Sequence, residues 1–309
     1  MKKQLLVTLT FLLSFTTTFA ANLYVGRGGS IQQAIDAANP GDTINIAKGR
    51  YVENITIPGS KTGLTIMGQG SNKTLIISEG GNLNPKFAPR DVAADIIIDI
   101  FAAGVTISNV GIQHPVGGTE KRDIGVFFRP PAVNGRLSRS EVERNRTGNL
   151  EPTKPGSRGV LIFRATGISI DNNEFEGNYQ DHIHLPTSAT KVINNEVEDA
   201  TRIGIVVIQE TDTSLSVDNM IMSNEVSGSG TDGIQIQGDS NSAMNNEVEE
   251  NAGAGIRLCG PSSSPACVAP GGAVTASYNV VTKNELEDNA GGDVLDFGSN
   301  NSVSDNNQD

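Results

Sequence analysis

The segment Asn173-Glu174-Phe175-Glu176 is the first of five copies of a short motif. The asparagines that begin the five copies are 22, 29, 22 and 38 residues apart. A coil of three short strands accounts for the 22-residue spacing, and the longer spacings then contain insertions. In such stacked coils the asparagines can hydrogen-bond to one another from coil to coil, so we predict that they are structural. The later copies are Asn195-Glu196-Val197-Glu198, Asn224-Glu225-Val226-Ser227, Asn246-Glu247-Val248-Glu249 and Asn284-Glu285-Leu286-Glu287.

A second strand recurs in the same units, with a small residue followed by alternating aliphatic residues. Gly159-Val160-Leu161-Ile162 and Gly204-Ile205-Val206-Val207 are two copies, and His182-Ile183-His184-Leu185 lies between them. Side chains alternate between the two faces of a strand. The pattern therefore predicts that Ile183 and Leu185 face the interior of the solenoid, while His182 and His184 both point outward.

The N-terminal part of the chain predicts a cap for this solenoid. Ser30-Ile31-Gln32-Gln33 is a capping box that begins a short amphipathic helix. Pro40-Gly41-Asp42 ends the helix, and strands are predicted at 43–46, 51–57 and 64–67. A helix at this end can cover backbone groups that the first coil would otherwise leave unpaired.

The run SIQQAIDAANPGDTINIAKGRYVENITI, residues 30–57, contains the pattern G-x-Y-x-E at Gly49-Arg50-Tyr51-Val52-Glu53. It resembles the start of pectate-lyase-like β-helix proteins, which include pectin methylesterases, alginate and chondroitin lyases, and periplasmic copper-handling proteins. The resemblance implies an all-β, right-handed parallel β-helix of three-strand coils with a short N-terminal capping helix. It implies little about chemistry. Thr231-Asp232-Gly233 matches part of a polygalacturonase motif, but the next coil lacks the paired aspartates that hydrolysis needs.

The first twenty residues predict export. Two lysines, an apolar run and small residues ending at Ala20 form a signal peptide, which predicts a secreted or periplasmic protein. We expect residues 21–309 to form one β-helix domain, with loop insertions near 115–157 and 259–278 and no membrane contact once the signal is removed. In an oxidising compartment Cys259 and Cys267 are expected to form a disulfide, with two buried thiols as the alternative.

Charge is distributed unevenly along the chain. Residues 120–164 carry ten basic and five acidic residues, whereas residues 165–309 carry four basic and twenty-three acidic ones. Arginine binds carboxylates and sulfates through two parallel hydrogen bonds, so the basic middle predicts an acidic polysaccharide as the partner. Scattered surface arginines that balance nearby acids are the alternative. We expect no nucleic-acid partner, and the sequence does not predict the oligomeric state. The predicted substrate-binding residues are Arg122, Arg129, Arg164 and Lys191.

The predicted catalytic residues are His182 and His184, together with Arg158 and Arg202 from the neighbouring coils. An outward histidine pair could move the C5 proton of a uronate while arginine neutralises its carboxylate. The two histidines could instead hold a transition metal with Asp181, or be solvated imidazoles. His114 stands apart in the sequence, and we interpret it as structural.

If the coils stack in register, the glutamates of the repeated motif form outward columns. Calcium is the one cofactor that this pattern suggests, because hard divalent cations favour carboxylate clusters. A solvated acidic face that keeps the protein soluble is the alternative. The predicted calcium ligands are Glu174, Glu196, Glu225 and Glu247.

Together these features favour an exported carbohydrate-active or carbohydrate-binding protein that handles an acidic polysaccharide by β-elimination or epimerisation. A non-catalytic surface or matrix protein and a periplasmic metal-handling protein are the alternatives. The inventory of three histidines and five methionines, one of them Met1 in the signal, is poor for copper handling.

Overall fold

The computed structural model describes residues 20–79, 94–115, 122–144, 156–177, 179–209, 216–260, 267 and 276–308. Apart from Ala20, the predicted signal peptide lies outside the described residues. Within them the chain winds through thirty short strands, β1–β30, and one helix, α1. The strands form three parallel sheets, A, B and C, and each coil contributes one strand to each sheet in that order. This is the predicted right-handed parallel β-helix.

Sheet A contains β1 (Asn22–Val25), β2 (Thr43–Ile46), β5 (Thr65–Met67), β8 (Thr106–Ser108), β11 (Arg136–Ser138), β14 (Ser169–Asp171), β17 (Lys191–Ile193), β20 (Met220–Met222), β23 (Ser242–Met244), β26 (Val280–Thr282) and β29 (Ser302–Ser304). Sheet B contains β3 (Gly49–Val52), β6 (Thr74–Ile77), β9 (Gly111–His114), β12 (Glu141–Arg144), β15 (Glu174–Gly177), β18 (Glu196–Glu198), β21 (Glu225–Ser227), β24 (Glu247–Glu249), β27 (Glu285–Glu287) and β30 (Asn307–Gln308). Sheet C contains β4 (Ile55–Ile57), β7 (Ala94–Ile100), β10 (Arg122–Phe128), β13 (Arg158–Ile162), β16 (Asp181–Leu185), β19 (Ile203–Val207), β22 (Ile234–Ile236), β25 (Ile256–Leu258) and β28 (Val294–Asp296).

One continuous hydrophobic core runs along the axis of the solenoid. Each coil places the inward side chains of its three strands against one another, as Ile170, Phe175 and Ile183 do in the middle of the molecule. Aliphatic residues also stack along the axis, because Ile170 is in register with Leu137 on one side and Val192 on the other. β-Branched side chains suit such pleated, buried surfaces. The core therefore follows from the period-two alternation of the sequence.

Helix α1 (Ile31–Ala37) lies at the N-terminal end, as predicted. Ser30 Oγ accepts a hydrogen bond from the Gln33 amide at 3.1 Å, which confirms the N-cap. Glu53 from the next coil completes the cap, because its carboxylate accepts from the amides of Ile31 (2.7 Å) and Gln32 (3.2 Å). The glutamate of the G-x-Y-x-E pattern thus fixes the helix to the first coil. Among the described residues, no helix has the length and apolar character that crossing a bilayer requires.

The repeated asparagines form a ladder inside the corner between sheets A and B. Asn195 donates from Nδ2 to Asn224 Oδ1 at 2.9 Å and to the Ile170 carbonyl at 2.9 Å, and the same pattern continues from Asn224 to Asn246. The residue before each ladder asparagine has a φ between 54° and 59°, a left-handed conformation that turns the chain sharply. The prediction that these asparagines are structural is confirmed.

The predicted insertion near 115–157 includes a coil of the solenoid. Residues 122–144 form one complete coil of three strands, so most of the basic middle belongs to the solenoid and not to a long loop. Inside the predicted insertion 115–157, residues 116–121 and 145–155 lie outside the described part of the chain. The Cys259–Cys267 disulfide is present, as expected, in the second predicted insertion, where residues 261–266 and 268–275 are not described.

Candidate functional site

The candidate site lies on the outer face of sheet C, and a bend near the start of β13 and β16 determines which of their side chains reach it. A Cβ atom on Gly159 would lie 3.2 Å from Phe175 Cδ1 and 2.7 Å from the His182 carbonyl oxygen, so this position faces the interior. Val160 also faces the core. Gly159 and Val160 are adjacent and both face the interior, which departs from the alternation of a regular strand. Arg158, the residue before the glycine, therefore points outward.

This bend corrects the prediction for His182, which takes the place of the glycine in its own coil. Its side chain is 0% exposed and lies inside the solenoid, with its ring centroid 5.8 Å from that of Tyr179 and 6.2 Å from that of Phe175. His182 Nε2 donates to the Glu198 carbonyl oxygen at 2.7 Å. Burial lowers the pKa of His182 to about 4, so the imidazole is neutral at pH 7. His182 is therefore an interior residue and not a surface acid or base.

His184 does reach the outer face, as predicted. On that face, His184 is in register with Leu161 of the preceding coil and with Val206 of the following coil. The side chain is only 2% exposed. Its Nδ1 lies 2.9 Å from Asp181 Oδ2. Of the two predicted histidines, His184 alone has the position that surface chemistry requires.

Asp181 is the centre of the cluster. Its carboxylate accepts hydrogen bonds from Arg202 Nε at 2.8 Å and from His184, and Arg158 Nε lies 3.1 Å from Oδ2. Burial alone would raise the pKa of Asp181. The charges of Arg158 and Arg202 and the hydrogen bond from His184 outweigh burial and hold this pKa well below its ordinary value. Asp181 is thus a buried anion with two cationic partners.

The predicted partners Arg158 and Arg202 are therefore brought together with His184, as their neighbouring coils suggested. Arg158 is almost fully buried, whereas the Arg202 side chain is 25% exposed and faces solvent at the edge of the cluster. Because Asp181 is ionised, its carboxylate can only accept a hydrogen bond, so Nδ1 of His184 carries the hydrogen that is donated. In the neutral imidazole, Nε2 is then the nitrogen that can accept a proton. We name Arg158, Asp181, His184 and Arg202 the Asp181 cluster.

A second ion pair follows two coils later on the same face. Asp232 occupies the position before the glycine, as Asp181 occupies the position before His182, and accepts from Arg257 Nε (2.6 Å) and Nη2 (2.7 Å). Gln235 Nε2 donates to the same carboxylate at 3.0 Å. The sequence analysis named Asp181 only as an alternative metal ligand and did not predict Asp232 as a site residue. Each aspartate comes directly before an inward-facing residue, and this shared position was visible in the sequence. Strict alternation along the strand, however, would place both aspartates inside the solenoid.

The predicted substrate-binding residues do not form one surface. Arg129 is buried, pairs with Asp99 and stacks on Phe127 with its guanidinium carbon 3.9 Å from the ring centroid, so its role is structural. Lys191 is exposed on sheet A, away from the outer face of sheet C. Arg164 is exposed and lies 5.1 Å from the Phe163 ring centroid. Arg122 begins β10 in sheet C, and its side chain lies outside the described part of the structure.

A buried polar cluster lies inside the corner near sheets B and C. Among the described residues, only Asp95, His114 and Asp123 bring three potential metal-ligand atoms within 4.8 Å of one another. Arg144 Nε donates to Asp123 at 2.9 Å, and His114 Nδ1 lies 2.8 Å from the Tyr179 hydroxyl. A guanidinium bonded to a carboxylate opposes cation binding at that carboxylate. These contacts fit the structural interpretation of His114.

The glutamate columns form in the predicted register on sheet B. Glu174 pairs with Glu196, Glu196 with Glu225, and Glu225 with Glu247. In the parallel column, a hydrogen bond shared with Glu174, burial and the charges of neighbouring glutamates raise the pKa of Glu176 to about 7. The columns relieve their repulsion partly through protonation. Calcium binding by the four predicted ligands stays a prediction.

Comparisons with known proteins agree with this fold. A family model described as a right-handed beta helix region matches residues 95–263. The chain belongs to this right-handed β-helix family. No curated protein matches the sequence.

Among solved structures, the Dettilon tailspike protein matches with a TM-score of 0.66 at 18% identity, over 89% of this chain and 50% of the tailspike chain. This chain thus spans half the length of that relative. An alginate lyase from a Paenibacillus species matches with a TM-score of 0.57 at 15% identity, covering 93% of this chain and 99% of the lyase. A rice weevil pectin methyl esterase matches with a TM-score of 0.52 at 13% identity, covering 96% and 90%. Identities this low show a shared fold and leave the chemistry to the residues of this chain.

Proposed function

We propose that this protein is exported and acts on an acidic polysaccharide at the Asp181 cluster, by abstracting the C5 proton of a uronate residue. The observation that carries the proposal is an imidazole held by an ionised carboxylate between two guanidinium groups. An aspartate that orients a histidine is a recurring arrangement for acid–base catalysis. The similarity in fold to an alginate lyase and a pectin methyl esterase supports a saccharide ligand, and the predicted signal peptide supports export.

In the proposed reaction, His184 Nε2 takes the C5 proton. The electron pair of the broken C–H bond moves into the uronate carboxylate, where Arg202 stabilises the added negative charge. The pair then either expels the C4 oxygen, which takes a proton from water as it leaves, or forms a new C5–H bond with a proton from water on the opposite face; His184 afterwards returns its proton to solvent. The first outcome is β-elimination and the second is epimerisation. Arg158 keeps Asp181 ionised throughout, because its charge stabilises the carboxylate.

The test is incubation of the mature protein with alginate, pectate and glycosaminoglycans, followed by assays for unsaturated ends and for altered uronate configuration. Arg202→Lys should lower kcat/KM because the ammonium cannot make the two parallel contacts of a guanidinium. Arg139→Lys, at an exposed arginine outside the cluster, is the matched control. If no product forms and no acidic polysaccharide binds, the proposal is wrong.

A second candidate function is binding without turnover. The observation that favours it is the 2% exposure of His184, which restricts substrate access to the imidazole. On this alternative, acidic polysaccharide binds, no product forms, and His184→Asn leaves the affinity unchanged. Turnover that the same substitution abolishes would exclude it.

A further inference from the structure

A groove lies at the N-terminal end of the solenoid, far from the Asp181 cluster. Its volume is about 740 Å³, which falls within the range of ligand pockets. Three successive coils line it at the corner between sheets A and B. Three coil steps separate the nearest lining strand, β5, from the coil that contains Asp181, about 14 Å along the axis at one strand spacing per coil. The lining residues are Tyr24, Val25, Gly26, Asn45, Ile46, Ala47, Lys48, Gln69 and Lys73.

The groove exists because one turn is longer than its counterparts. The turn between β5 and β6 contains six residues, 68–73, whereas the turn between β17 and β18 contains two, 194–195. The longer turn is fixed to the coil, since the Gln69 amide donates to Thr74 Oγ1 at 3.0 Å and the Thr74 hydroxyl donates to the Ala47 carbonyl at 3.3 Å. Its wall is therefore held in place before any ligand arrives.

An aromatic ring faces this groove from the outer side of sheet A. Tyr24 is 79% exposed, the highest value among the large hydrophobic residues that the structure describes as exposed. It lies on the edge strand β1, in register with Asn45. A flat aromatic face beside an amide offers stacking and hydrogen bonding to one ligand.

The charge of the groove is opposite to that of the whole chain. The chain carries a net charge of −12, yet the groove is lined by Lys48 and Lys73 and by no acidic residue. Both lysines are exposed. Among the described residues neither ammonium group has a carboxylate within 4.0 Å. Two available cations beside an exposed aromatic ring favour an anionic ligand with a flat, hydroxyl-rich body.

We propose that this groove is a second binding site for an acidic oligosaccharide, with a sugar ring on the face of Tyr24 and its carboxylate or sulfate groups at Lys48 and Lys73. The inference rests on the proposed function for the class of ligand. It adds a site that retains the polymer without taking part in its chemistry.

The test is titration calorimetry of the mature protein with an acidic uronate tetrasaccharide and with a neutral tetrasaccharide as the charge control. Tyr24→Ala and the double variant Lys48→Gln/Lys73→Gln should each weaken binding of the acidic ligand roughly tenfold, the equivalent of about 1.4 kcal/mol. The lysine variant should also reduce the salt dependence of the affinity. All three positions are exposed, and circular dichroism checks that the variants fold.

Matched controls exist at the opposite end of the molecule. Tyr278 is 65% exposed and Lys283 is exposed, and neither lines the groove. Tyr278→Ala and Lys283→Gln should leave the affinity within about twofold. Wild-type affinity in the groove variants would overturn the inference and leave the Asp181 proposal standing. Equal binding of the neutral sugar or of a single-stranded oligonucleotide would also overturn it. If the wild type binds no acidic saccharide, both proposals are wrong.

Discussion

Two adjacent residues of one strand have opposite roles in this protein. Asp181 and His182 are adjacent and both are buried, yet the first is an anion paired with two arginines and the second is a neutral imidazole inside the core. The bend at the start of the strand separates them. Their titrations consequently make separate contributions to stability.

The pKa of His182 predicts a loss of stability in mild acid. Its folded-state pKa, about 4, lies below the ordinary value of 6.5. The stability that neutral His182 contributes is therefore complete above pH 6.5 and is lost as the pH falls toward 4, by about 3 kcal/mol. His182→Gln, which keeps a donor for the Glu198 carbonyl, should reduce this dependence of the free energy of unfolding on pH. Denaturant unfolding between pH 7 and 4 at high salt measures it, and an unchanged slope in the variant would contradict the prediction.

The paired charge of Asp181 predicts a second residue-scale effect. Asp181→Asn removes the carboxylate that pairs with the buried Arg158 and the partly exposed Arg202, and it should lower the free energy of unfolding at pH 7 by about 3–5 kcal/mol. Asp171→Asn is the matched control, because its partner Arg136 is 46% exposed and the change should cost less than about 1 kcal/mol. Similar losses in both variants would show that Asp181 is not the centre of a buried cluster.

At the scale of elements, the turns between sheets A and B depend on the asparagine ladder. Each interior asparagine accepts from the backbone amide and the Nδ2 group of the ladder asparagine in the coil before it, and donates to the ladder asparagine in the coil after it. A buried amide that loses such a partner has no water to replace it. The ladder therefore fixes the register of the coils as well as their stability.

Position along the ladder predicts the cost of losing an asparagine. Asn224→Ala removes the acceptor of the Asn195 amide and a donor to the Val192 carbonyl, and should lower the free energy of unfolding by about 2 kcal/mol or more. Asn306→Ala, at the half-buried end of the ladder, should cost less than about 1 kcal/mol because water can reach the freed groups. Denaturant unfolding of both variants tests this. Equal costs would show that burial does not set the value of a ladder position.

Across the whole molecule, the acidic columns oppose the stability that the core provides. The folded-state pKa of Glu176 is raised to about 7 from an ordinary value of 4.5. Its contribution is therefore present below pH 4.5 and is lost as the pH rises through 7, when its charge adds to that of its neighbours. This dependence is opposite in sign to that of His182, so the two contributions offset each other between about pH 4.5 and pH 6.5.

The glutamate columns predict that the loss of stability with rising pH depends on the salt concentration. At low ionic strength the melting temperature should fall between pH 5 and pH 8, and Glu176→Gln should reduce the fall. Asp305→Asn, at an exposed acid outside the columns, is the control and should change little. Thermal unfolding at both pH values measures the effect, and a fall that Glu176→Gln leaves unchanged would count against the columns.

Calcium binding is tested by the same measurement. If Glu174, Glu196, Glu225 and Glu247 bind calcium, millimolar Ca²⁺ at pH 8 should raise the melting temperature beyond the effect of sodium chloride at equal ionic strength, because specific binding stabilises the folded state. Equal effects of the two salts would identify the columns as a solvated acidic face.

The sequence by itself determined the coil, the ladder and the columns, because each depends on a repeat of local spacing that stacking converts directly into contacts. It also predicted that His184, Arg158 and Arg202 lie close together, since neighbouring coils bring corresponding positions together. Only the tertiary structure decided that His182 is inside, that Asp181 organises the cluster and that Arg129 is buried. The physical reason is that these outcomes depend on a backbone bend and on contacts with side chains of other coils, and neither is encoded in the alternation of residues along one strand.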